Sequence, residues 1–178
     1  MSGFRATSGG VTARFARPEA TIIRDLVGQV VELVVADMPA PDADELAAMV
    51  GLSDSAEVPE DPVLARLLPD GYRDDPEAAH EFRRFTESGL RSAKLESAQT
   101  LLQTLPASGG KVRLSAEQAE AWLRSLNDVR LALGVRLGVT DEFDGLSEDL
   151  MEDDPRFAYI QVYQWLAFLQ GSLVAALS

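Results

Sequence analysis

The stretch Phe157-Ala-Tyr-Ile-Gln-Val-Tyr-Gln-Trp-Leu-Ala-Phe-Leu-Gln-Gly-Ser-Leu-Val-Ala-Ala-Leu-Ser178 decides the fold. Its 22 residues include no charged side chain, whereas the rest of the chain carries all 45 charges and the net of −13. A chargeless segment of helix length belongs in a protein core, at a subunit interface or in a bilayer. The length suffices for a span. However, Gln161, Gln164, Gln170 and Ser172 interrupt it, Asp153-Asp154 precede it, and the one basic residue beside it, Arg156, follows those acids and makes no basic flank. Tyr159, Val162, Leu166, Leu169, Leu173 and Ala176 recur in steps of three and four, the spacing of a seam between packed helices. Trp165 and Phe168 fall on a second face, which is assigned to a homodimer. The segment is therefore predicted as a core helix over 155–177 that also meets a second copy, with no membrane insertion.

Working outward, Asp141–Asp154 holds eight acidic residues and is predicted as an acidic loop. Ser115-Ala-Glu-Gln118 is a capping box that opens a helix over 115–138, with Trp122, Leu126, Leu133 and Leu137 inward. Before it, Ser108-Gly109-Gly110 makes a turn and Lys111–Leu114 a short strand. Asp75-Pro76-Glu77 starts a helix over 76–105, with Gly89 a candidate bend. On that helix Phe82, Phe85, Gly89 and Ala93 share one face. Arg84, Glu87, Arg91 and Lys94 share the opposite face, predicted to be solvated. Asp61-Pro62 starts a short helical turn, preceded by an acidic loop over 53–61 and a short helix near 44–50. Pro18 opens a helix over 18–35 whose two apolar stripes, Ile22/Leu26/Leu33 and Ile23/Val27/Val30/Val34, predict deep burial. Residues 4–15 alternate about Ser8-Gly9-Gly10 and read as a β-hairpin. The fold class is mainly α: a helical bundle-like single domain over 1–178, with a small N-terminal antiparallel sheet made of the hairpin plus one strand.

Composition bounds the chemistry. Apolar residues are 46% and charged residues 25%, as in globular proteins. There is no cysteine, which excludes disulfides, thiolate zinc sites, iron–sulfur clusters and a thiol nucleophile, and fits a cytoplasmic chain. Met1–Gly10 contains no apolar run of the kind a signal peptide needs. The charge of −13 argues against dominant binding to a phosphate backbone.

Motifs add no catalytic site. Gly109-Gly110-Lys111 lacks the first glycine and the hydroxyl residue of a phosphate loop, since Val112 follows the lysine. Glu77-Ala-Ala-His80 has the spacing of a di-iron helix, but His80 is the only histidine and the second pair is missing. The acids of 141–154 do not follow the EF-hand pattern, because Phe143 and Gly145 occupy ligand positions. No Gly-x-Ser-x-Gly elbow occurs. The chain is thus read as non-enzymatic, with no cofactor and no metal. If 111–114 pairs with the hairpin, Arg5, Arg14, Lys111 and Arg113 converge on one sheet face. That face would meet an acidic protein surface or nucleic acid; the plain alternative is the polar side of a half-buried sheet. No aromatic residue interleaves there, which argues against a stacking platform for single strands.

Several stretches carry a resemblance. They are Asp61-Pro62-Val-Leu-Ala-Arg-Leu-Leu-Pro-Asp-Gly-Tyr-Arg73, Asp75-Pro76-Glu77 through Phe82-Arg83-Arg84-Phe85-Thr86, Leu90-Arg91-Ser-Ala-Lys94-Leu95, Ala121-Trp122-Leu123-Arg124-Ser-Leu-Asn127-Asp128-Val-Arg130-Leu-Ala-Leu-Gly134, and Val162-Tyr163-Gln-Trp165-Leu166. Together they resemble an actinobacterial family of unknown function that includes the oxidative-stress transcriptional regulator AosR. The resemblance implies a cytoplasmic regulator linked to transcription under oxidative stress. It would act on a protein of the transcription machinery, such as a sigma factor or polymerase, with direct DNA binding through the basic sheet face as the alternative. Asn127, Asp128 and Arg130 are candidate polar contacts for that partner, unless they form an internal hydrogen-bond network. Without cysteine, the chain cannot sense oxidant through its own thiols.

Overall fold

The computed structural model describes residues 3–36, 57–139 and 154–178. The short helix expected near 44–50, the start of the loop over 53–61 and nearly all of the loop over 141–154 lie outside them. The order of elements is β1 (Arg5–Thr7), β2 (Gly10–Phe15), α1 (Arg17–Ala36), α2 (Pro62–Leu67), α3 (Pro76–Thr104), β3 (Gly110–Leu114), α4 (Ala116–Leu137) and α5 (Phe157–Leu177). The three strands form one antiparallel sheet in the order β1-β2-β3. The fold is mainly α with a small N-terminal sheet, as expected.

Helix starts follow local chemistry. Asp61 Oδ1 accepts from Val63 N at 2.7 Å and opens α2. Asp75 Oδ1 accepts from Glu77 N and Ala78 N at 3.1 and 3.0 Å and opens α3. At α4 both halves of the capping box form: Gln118 N donates to Ser115 Oγ at 3.2 Å, and Ser115 N donates to Gln118 Oε1 at 3.0 Å. Gly138 ends α4 at φ 68°, the left-handed position that glycine adopts without strain.

The core forms around α4, which touches all four other helices and two strands. Trp122 is fully buried against Phe4 and Phe15, with ring centroids 5.6 and 5.8 Å away. Its Nε1 donates to Thr104 Oγ1 at 2.8 Å, so the indole is both packed and satisfied.

Three facings differ from the periodicity. On α1, Ile23, Val27, Val30 and Val34 are buried, but Ile22 is exposed and Leu26 and Leu33 only half-buried. On α5, Leu166, Leu169 and Leu173 hold the seam, joined by Ile160 and Trp165, while Tyr159 is exposed. The largest reversal is on α3. Phe82 and Phe85 are 43% and 65% exposed, whereas Glu87 and Arg91, expected in solvent, are 5% and 2% exposed. Arg83 is buried with them. Its Nη1 donates to Glu87 Oε2 at 3.1 Å, and its Nη2 to Leu68 O at 3.1 Å and Asp70 Oδ1 at 2.6 Å. Arg91 donates to Glu87 Oε1 from Nη2 at 2.8 Å and to Val34 O from Nη1 at 2.8 Å. The reason lies across the interface. The last carbonyls of α1 and α2 have no partner within their own helices and need donors, and two arginines on α3 supply them. Glu87 bridges the two guanidiniums, and Asp70 supplies the second negative charge at Arg83. Burial alone would lower the Arg83 pKa, but its bonds to Asp70 and Glu87 outweigh that and raise it.

Candidate functional site

The sheet presents two chemically opposite faces because side chains alternate along a strand. Val11, Ala13, Phe15, Val112 and Leu114 point into the core and are buried. Two glycines let the strands close on their neighbours. A Cβ on Gly10 would collide with Leu114 O, and one on Gly109 would stand 2.8 Å from Phe15 O; both residues have positive φ.

The register sets the outer face. Arg5 pairs with Thr12 and Thr12 with Arg113, making one row across all three strands; Arg14 pairs with Lys111 in the next row. With strands about 4.8 Å apart and alternate residues roughly 6.8 Å apart, the four cations fall within roughly 10 Å by 7 Å. All four are exposed. None forms an ion pair with another described residue, and the three strands contain no acidic residue.

The concentration of positive charge stands out against the rest of the sequence. Residues 37–61 and 141–154 contain 16 of the 29 acidic side chains and no basic one, so elsewhere 16 basic residues outnumber 13 acidic ones. Both α1 and α4 start at the sheet and run away from it for 20 and 22 residues, roughly 30 Å at the rise of an α-helix. The chain therefore enters both acidic stretches at the end of the molecule remote from the cations.

Asn127, Asp128 and Arg130 are engaged by other helices. Arg130 Nη1 donates to Gln170 Oε1 at 2.6 Å, Gln170 Nε2 donates to Asn127 Oδ1 at 3.2 Å, and Arg130 lies 5.9 Å from the centroid of the Tyr163 ring. Asp128 is buried and accepts from Lys94 Nζ at 2.7 Å. Burial raises the Asp128 pKa, and the bond and charge of Lys94 offset only part of that rise. Together these contacts tie α4 to α3 and α5. Trp165 and Phe168, paired by sequence on one outer face, separate: Trp165 is 7% exposed and belongs to the core, while Phe168 is 48% exposed. His80 is exposed on the first turn of α3.

Sequence reasoning missed the buried Arg83–Glu87–Arg91 ladder. The Arg-Glu-Arg series at four-residue spacing marks the three side chains as neighbours on one side of a helix, but the same series is found on solvated faces and does not reveal burial.

The family model described as Domain of unknown function (DUF2017) matches residues 1–177. The chain belongs to this family. The similarity of this DUF2017 chain to curated proteins is also extensive. It is 38% identical over an alignment of 174 positions to the oxidative stress regulator AosR of Mycobacterium bovis, covering 89% of this chain and 78% of that protein. The same identity and coverage hold for the oxidative stress regulator AosR of two strains of Mycobacterium tuberculosis. No solved structure matches the DUF2017 chain.

Proposed function

We propose that the chain is a non-enzymatic, cytoplasmic regulator of the oxidative-stress response, and that it binds a protein of the transcription machinery, a sigma factor or a polymerase subunit, through its basic sheet face. The carrying observation is the group of four exposed cations on three strands that hold no acid. Such a face selects an acidic protein surface and steers its approach. The names of the AosR relatives support the regulatory role. The oxidant signal does not reach the chain through a thiol, because it has no cysteine, so it arrives through the partner.

The test is a pull-down from host lysate, with and without oxidant, using the wild type and the variant Arg5→Glu/Arg14→Glu/Lys111→Glu/Arg113→Glu. The wild type is expected to recover a sigma or polymerase subunit, and the variant to lose it with an unchanged thermal midpoint. Recovery of no transcription protein, or equal recovery by both, overturns the reading. Direct DNA binding is the second reading, supported by the same cations and by the basic excess outside the two acidic stretches. It predicts a gel shift whose log affinity falls against log salt with a slope of about −0.9 per phosphate contacted.

A further inference from the structure

The two edges of the sheet differ. At β1 the outer edge is closed by α5: Phe4 N donates to Ser172 Oγ at 3.0 Å, and a Cβ on Gly3 would stand 2.8 Å from Ser172 Cβ. At β3 the outer edge is open. Val112 O accepts from Thr12 Oγ1 at 2.8 Å, and Leu114 O stands against Gly10, so both carbonyls turn toward β2. Along a strand, successive residues turn their N–H and C=O groups to alternate sides, and each residue turns both the same way. The N–H and C=O of Lys111 and Arg113 therefore face outward. No hydrogen bond joins any of these four groups to another described residue. Residues 107–108 and 115–117, on either side of the strand, are exposed as well.

We infer that this edge takes up an extended segment of the acidic partner, added antiparallel to β3, with acidic side chains at the two positions opposite Lys111 and Arg113. The inference rests on the basic sheet face being the contact surface, and it names the form in which the partner meets that face. In an antiparallel pair each of those two positions exchanges two bonds, so four backbone hydrogen bonds close the edge. Residues directly opposite each other put their side chains on the same side of a sheet. The two acids thus fall on the outer face. One extends the row of Arg5, Thr12 and Arg113, and the other the row of Arg14 and Lys111. The residue between them points to the other side. The pattern recognised is acid, any residue, acid.

Charge selects this occupant. A second copy that added its own β3 about a two-fold axis would set Lys111 opposite Arg113, placing like charges directly across from each other. Nucleic acid neutralises the cations through its phosphates but brings no alternating donors and acceptors to the four backbone groups. Cations on an edge strand keep neighbouring chains from pairing with it at random. The same cations admit a strand of opposite charge.

The isotope-labelled full chain tests this by NMR against three end-blocked peptides of the sequence Gly-Thr-Glu-Val-Glu-Thr-Gly: unmodified, N-methylated at both glutamates, and N-methylated at the valine. Their charge is the same. In the inferred register the glutamate amides face β3 and the valine amide faces away. The unmodified and valine-methylated peptides are expected to bind alike and to slow hydrogen exchange at the Lys111 and Arg113 amides. Methylation at the glutamates removes two hydrogen bonds and raises Kd about tenfold or more. Equal binding by all three peptides, unchanged exchange at the two amides, or no binding of the unmodified peptide at millimolar concentration overturns strand addition. Tighter binding of oligothymidylate than of the peptide, with both amides still exchanging fast, overturns it in favour of nucleic acid. The two readings fail separately. Capture of a transcription protein from lysate, with all three peptides binding equally, removes strand addition alone. Discrimination among the peptides without such capture removes the transcription partner alone.

Discussion

At the sheet, aromatic rings point inward and cations outward; along the first half of α3, arginines point inward and phenylalanines outward. The two regions belong to one chain with one composition, so hydrophobicity alone does not decide which side of an element is buried. At the sheet the inner face meets Trp122, an apolar partner whose single donor is already satisfied by Thr104. At α3 the inner face meets the carbonyl ends of α1 and α2, and only donors can be buried against those at low cost. Phe82 is kept outside against the turn before α3. There its ring stands 5.8 Å from that of Tyr72 and leaves no room for a side chain at Gly71.

The comparison can be broken most severely at its two centres. Trp122→Ala should cost about 3–5 kcal/mol through lost packing and the cavity left behind. Glu87→Ala should cost a similar amount, about 3–5 kcal/mol, because Arg83 and Arg91 would remain buried without their shared carboxylate. Urea unfolding of the two variants checks both. A loss under 1 kcal/mol in Glu87→Ala would mean that the two guanidiniums reach water easily.

A smaller effect is expected at Asp128, where α4 meets α3. Its carboxyl is pushed above the ordinary value of 3.8, chiefly by burial. It therefore holds its proton more tightly in the folded chain than in the unfolded one. The resulting stabilisation is fully present below pH ~3.8 and is lost as pH rises through the higher folded value. Asp128→Asn removes that dependence. The urea midpoint of the wild type relative to this variant should decline as pH rises from about 4, and a flat difference would refute the assignment. The smallest change is expected outside α3. Phe85→Ser should alter stability by no more than about 0.5 kcal/mol, measured by thermal unfolding, because the ring is already mostly in solvent.

How far the sequence could be read follows the same division. Ser115 with Gln118, Asp75 with Pro76, and Gly10 and Gly109 are local signals that act on neighbouring backbone, and each produced the predicted cap or turn. Alternation in the strands fixed both faces at once, so Arg5, Arg14, Lys111 and Arg113 converge as anticipated. The facing of α3 was not legible. Its aromatic and charged stripes are equally periodic, and the deciding carbonyls, Val34 O and Leu68 O, come from other parts of the chain. Trp165 was misplaced for a related reason: a helix with apolar residues all round does not reveal which side the sheet and α4 will cover.

The contact from Phe4 N to Ser172 Oγ joins residues 168 apart in the chain. Its consequence lies in time. A ribosome adding about 5–20 residues per second takes roughly ten to thirty seconds to cover that separation. Until α5 emerges, the first strand lacks its anchor, and Phe4 lacks the helix that holds it against Trp122. The basic face, begun by Arg5 and Arg14 and extended by Lys111 and Arg113, is therefore among the last surfaces to be completed, and a nascent chain does not display it in finished form to a partner.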